Sequence, residues 1–153
     1  MLRFQTCAFA KLIASGRERL PALLLQRFRK PGGRDFYLPA RHNIRRVALG
    51  EITASECASE LRNLRLAPDR THNVRAFGLF FEWLSVSGAT LEPPLPTAEF
   101  ISPSGELCIG TKPEATIVYK GSRFFLTTWC ARKPHLSRYA ASITWQLMER
   151  QMH

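Results

Sequence analysis

No carboxylate stands between Ala115 and Met148 of this 153-residue chain, yet Lys120, Arg123, Arg132, Lys133 and Arg138 all fall there. A Mg²⁺ site confined to that stretch would lack the oxygen ligands the ion requires. The chain has no Cys-x-x-Cys pair and no histidines at metal-ligand spacing, which excludes the usual zinc modules. "KPGGR" at 30–34 lacks the Gly-Lys-Ser/Thr ending of a phosphate loop, and no Gly-x-Gly-x-x-Gly occurs. The aromatic signature of an RRM and a basic-region zipper are likewise missing. Apolar runs are short: Leu20–Leu25 contains Pro21 and falls far below the roughly 20 residues that span a bilayer, so no membrane partner is expected. No repeat and no low-complexity tract interrupts the chain.

The composition is that of a globular protein, 45% hydrophobic and 22% charged, and the length suits one domain, 1–153, able to bury a core. Cys7, Cys57, Cys108 and Cys130 are widely spaced and read as reduced thiols of a cytoplasmic protein. The first thirty residues are Arg-rich, acid-poor and amphipathic, as a mitochondrial presequence is; in a eukaryotic source the matrix is the alternative location.

The net charge is +10, and 17 of the 22 basic residues are arginine, whose planar fork suits phosphate. Residues 1–50 carry +9, residues 51–100 carry −3 and the remainder +4. Two clusters stand out. One is Arg27, Arg29, Lys30 and Arg34 with Arg41, Arg45 and Arg46; the other is Arg123, Arg132, Lys133, His135 and Arg138. Such clusters can neutralise a phosphate backbone and release counterions. The plainer reading makes them solvated faces, paired in part with the acidic middle segment.

Periodicity predicts a basic helical N-terminal segment, 1–34, in two pieces broken near Ser15-Gly16 and restarted at Pro21. A helical half follows over 41–88. It has a short helix closed by Gly50, a helix opened by the capping box Thr53-Ala-Ser-Glu56, and a helix whose stripe Val74, Phe77, Phe81 and Leu84 is widened by Phe80 and Trp83. So broad an apolar surface predicts a central helix. "LEPPLP" then forms a stiff crossing. Over 97–153 the pattern predicts strands at Ala98–Ser102 and Glu106–Thr111, a hairpin of Glu114–Lys120 with Arg123–Cys130 about Lys120-Gly121-Ser122, and a final helix, Leu136–Gln151. Both faces of Arg123–Cys130 are apolar, which predicts a central strand. The final helix should bury Leu136, Tyr139, Ala140, Ile143 and Leu147. The expected class is α/β of the α+β type: N-terminal helices, a small three- to four-stranded, mostly antiparallel sheet, and a C-terminal helix.

"KPEATIVYKGSRFFLTTWCARKP", residues 112–134, followed by the last helix, resembles the core of the PD-(D/E)XK nucleases, in which a Pro-Asp opens a strand, (D/E)-x-K lies on the next, and a helix follows. The resemblance puts Glu114 at the first acid, Thr128 at the second and Cys130 at the lysine; slipping by one residue gives Thr127 and Trp129. In that family two carboxylates hold Mg²⁺ and the lysine helps to activate water. The resemblance therefore implies a nuclease-like core with a degenerate catalytic motif. A metal-dependent nuclease would need Glu114 to meet another carboxylate, from Glu99 or Glu106, and only in that case is Mg²⁺ expected as a cofactor. Arg132 or Lys133 could replace the lysine's charge, but a guanidinium is a poor proton acceptor. A Cys130–His135 nucleophile is outweighed by a structural cysteine, and His42 and His72 are lone histidines.

The leading expectation is a non-catalytic protein that binds DNA or RNA, with no metal and no cofactor. The competing one is a module that binds a protein partner through the helix around Phe77–Trp83 or through the N-terminal helix. The sequence does not specify an oligomeric state.

Overall fold

The computed structural model describes residues 1–16, 18–29, 36–128 and 137–152. In chain order the elements are β1 (Leu2–Gln5), α1 (Thr6–Ala14), α2 (Leu20–Arg29), α3 (Leu38–Ala48), α4 (Ala54–Arg62), α5 (Ala67–Ser87), β2 (Thr90–Glu92), β3 (Ala98–Ile101), β4 (Leu107–Thr111), β5 (Ala115–Tyr119), β6 (Ser122–Leu126) and α6 (Arg138–Met152). The class is the expected mixture of helices and mostly antiparallel strands, but the strands form two sheets of three instead of one. They belong to two compact units, one comprising Met1–Arg34, Pro96–Lys112 and Ala131–His153, the other Asp35–Leu95 and Pro113–Cys130.

The first unit holds the sheet β1-β4-β3 with α1, α2 and α6. β1 runs parallel to β4, pairing Phe4 with Ile109, and β3 runs antiparallel to β4. Sequence periodicity assigns residues 2–5 to a helix; β4 instead recruits them as a strand, and long-range pairing overrides a weak local preference. Thr6 starts α1 and ties it to the sheet. Its hydroxyl donates to the Gly110 carbonyl at 3.0 Å and lies 2.6 Å from Thr111 Oγ1. α1 packs on α6, and each supplies a fully buried alanine, Ala10 and Ala140. Of the stripe expected on α6, Ile143 and Leu147 are half-buried and Met148 is buried, while Tyr139 is 67% exposed. Leu136 lies outside the described residues.

The second unit packs α3, α4 and α5 on the antiparallel sheet β2-β5-β6. Its core is Ala40, Ile44, Ala48, Cys57, Leu61, Phe77 and Ala115. The predicted capping box is present: the Thr53 hydroxyl accepts from the Glu56 N–H while Glu56 accepts from the Thr53 N–H. Gly50 closes α3 with φ 71°, a conformation that suits glycine. The hairpin turns on Lys120 and Gly121, both at positive φ, the signature of a type I′ turn.

Buried amides lock the helices together. Asn73 Oδ1 accepts from the Ala40 N–H, and its Nδ2 donates to the Phe36 and Asp69 carbonyls, so the side chain is satisfied at 0% exposure. Asn43 Nδ2 reaches the Cys57 carbonyl and Cys57 Sγ donates back to that of Asn43.

Two expectations change. β6 ends at Leu126 and forms the edge of its sheet, with β5 at the centre, and Phe124 is exposed. An alternating run of aromatics marks a strand but does not distinguish a covered face from an open one. α5 buries Phe77 and half-buries Phe80 and Phe81, yet Leu79, Trp83 and Val86 lie open. Replacing Leu61, 1% exposed, with Ala should cost about 2–5 kcal/mol in urea unfolding, whereas the same change at exposed Leu79 should cost well under about 1 kcal/mol.

Candidate functional site

The residue singled out by the nuclease resemblance, Glu114, sits at the mouth of the β5–β6 hairpin. Ladder pairing of Ala115 with Leu126 continues one step outward, where the Glu114 N–H donates to the Leu126 carbonyl at 2.9 Å. This closure brings residue 128 back over residue 114. The Thr128 N–H donates to Glu114 Oε2 at 3.0 Å, which places residues 114 and 128 side by side.

The remaining partners come from α3. Arg41 Nε lies 2.6 Å from Glu114 Oε1, and Arg45 Nη1 donates to the Pro113 carbonyl at 2.7 Å. Positions 41 and 45 are one turn apart on one helix face, so both guanidinium groups reach the same strand entrance. The Glu114 side chain is 4% exposed and that of Arg41 22%. Burial pushes the Glu114 carboxyl above its ordinary range, outweighing the opposing pull of the Arg41 guanidinium and the Thr128 N–H. Glu114 is thus a buried carboxylate held between two donors.

Glu99 and Glu106 belong to the other compact unit. There Glu99 meets Arg3 at 3.4 Å and Glu106 accepts from Ser104 at 3.3 Å. Among the described residues no three His, Cys, Asp or Glu side chains gather as a metal site. Cys57 and Cys108 are free and buried, and burial raises the Cys57 thiol, which keeps it protonated and unreactive.

The predicted basic residues divide sharply. Arg41 and Arg45 bind the hairpin entrance. Arg46 lies 2.6 Å from Glu60 and 3.9 Å from Glu51, and it also donates to Asn43. Arg123, largely exposed, stands 3.2 Å from Glu92. Arg138 is exposed at the start of α6. Arg27 and Arg29 lie on α2, and their side chains are outside those described. Lys30, Arg34, Cys130, Arg132, Lys133 and His135 lie outside the described residues.

Across the two units the charge is unequal. The first carries thirteen basic and four acidic residues, the second nine and eight, so +9 of the +10 belongs to the first. Seven of the eleven predicted basic residues are in it: Arg27, Arg29, Lys30, Arg34, Arg132, Lys133 and Arg138. Sequence thirds conceal this division, because the first unit joins both chain ends to 96–112.

Comparison with known proteins finds no family model, no curated protein and no solved structure that matches the chain. Among the described residues no helix is long and apolar enough to cross a membrane.

Removing one member of a buried ion pair leaves the other uncompensated. Arg41→Met should therefore destabilise the protein by about 2–4 kcal/mol, and adding Glu114→Met should recover part of that loss in a double-mutant cycle. The raised Glu114 carboxyl also fixes a sign. The folded chain takes up this proton at a higher pH than the unfolded chain, so the Glu114 contribution is greatest below the ordinary carboxylate range and is lost as pH rises through the raised value. Wild type minus Glu114→Gln, followed by urea unfolding across mildly acidic pH, should show that decline.

Proposed function

We propose that the chain is a non-catalytic nucleic-acid-binding protein and that its first unit provides the binding surface. The concentration of +9 in that unit carries this reading. The arginines of α3, by contrast, have carboxylates or a carbonyl as partners within their own unit. A polyanion gains most where positive charge exceeds negative, since each phosphate neutralised releases condensed counterions.

The chemistry at Glu114 supports a binding role over a cutting one. Its two oxygens receive the Arg41 guanidinium and the Thr128 N–H, and the position that the nuclease resemblance gives to the second acid contributes a backbone donor instead of a carboxylate. Neither neighbour accepts a proton from water. Buried free thiols at Cys57 and Cys108 suit a reducing, cytoplasmic setting.

In fluorescence anisotropy with short DNA and RNA strands, affinity should fall steeply as salt rises. Replacing Arg27, Arg29, Arg132 and Lys133 with Gln should weaken binding to every sequence and reduce the log–log salt slope by roughly one for each phosphate no longer neutralised. Undetectable binding at low salt, or a slope untouched by the quadruple substitution, would sink the reading.

A further inference from the structure

The exposed side of α5 has a pattern that its own unit does not use. α3 and α4 pack on one side of this helix, whereas Leu79, Trp83 and Val86 on the other are 56%, 47% and 79% exposed. Trp83 rests against Phe80, with ring centroids 6.2 Å apart, so the open apolar surface continues inward to the core aromatics. Arg75 and Glu82 lie two turns apart on this same side. Both are exposed, and neither forms an ion pair with any described residue.

Gly78 sits at the middle of this face. Glycine inside a helix costs about 1 kcal/mol relative to alanine. Nothing within 4 Å would meet a Cβ at this position, so packing within the chain gives no reason for the missing side chain. A glycine on an open helix face permits close approach by another backbone.

We propose that this face is an interface between two copies of the chain, α5 packing antiparallel on α5 about a two-fold axis. The charges select both occupant and register. Arg75 and Glu82 are equally far from the point between Gly78 and Leu79; a two-fold axis there sets Arg75 of each copy against Glu82 of the other. The same register crosses the helices at Gly78, where they can approach closely, and sets Leu79 of each copy against Gly78 of the other. One patch thereby satisfies itself, as an isologous interface requires. Its near-neutral unit, with nine basic and eight acidic residues, also avoids the repulsion that two copies of the +9 unit would meet.

Sedimentation equilibrium of the full chain tests this directly. Wild type should show a reversible monomer–dimer equilibrium. Arg75→Glu and Glu82→Arg should each raise the dissociation constant roughly tenfold or more, because two attractive pairs become two like-charge pairs. Placing both reversals on one chain should restore dimerisation, and mixing the two single variants should give a heterodimer. Gly78→Leu adds bulk where the monomer has room, so it should keep the monomer's circular dichroism while preventing association. Wild type that stays at 17.4 kDa at every concentration overturns the proposal. So does a dimer indifferent to either single reversal, or one that the double reversal does not restore.

Discussion

The second unit depends on one buried contact between unlike charges. Glu114 lies at the entrance of a hairpin whose far turn is set by Lys120 and Gly121, so the strands need an anchor at their open end. Arg41 and Arg45 supply it from α3, one through the carboxylate and the other through the Pro113 carbonyl. The Thr128 N–H shares the same carboxylate and fixes the exit of β6. A carboxylate with so little exposure is costly to desolvate, and its two donors offset only part of that cost. The contact sets where the sheet meets the helices and explains why Ala115, immediately next along β5, is fully buried among Ile44, Leu61 and Phe77.

The same contact changes how the chain's basicity is understood. A run such as Arg41, Arg45 and Arg46 has the composition of a phosphate-binding helix, but each of these side chains has a fixed partner in its own unit. Arginine serves two purposes in this protein. In the second unit its fork bridges elements; in the first it accumulates as net charge, which acts over a range set by salt and not by one contact. Near-neutrality of the second unit would make the proposed self-association through α5 compatible with the proposed binding of a polyanion by the first unit.

Local signals are legible in the sequence. Thr53 and Glu56 announce a capping box, Gly50 a helix end, and Lys120-Gly121 the hairpin turn, because each depends on residues within a turn of one another. Pairing decided by distant partners is not. Leu2–Gln5 forms a strand only because β4 lies available beside it, and the three residues of β2 form one through β5. The openness of Trp83 and Tyr139 is hidden for a related reason: an apolar stripe shows that a face can be buried, while its coverage depends on what the rest of the chain provides. At the candidate site, the adjacency of residues 114 and 128 can be read from hairpin register. Arg41 as the counter-charge cannot, since it is distant in sequence from Glu114 and no local pattern links them.

Amide hydrogen exchange of the full chain, with and without a short oligonucleotide at low salt, tests most directly the claim that polyanion binding belongs to the first unit while the α3 arginines serve the fold. The account predicts slowed exchange in peptides from 1–34 and 131–153, with α3 and the hairpin entrance unchanged. Protection centred on 38–48 and 113–128, with both chain ends unaffected, would contradict it.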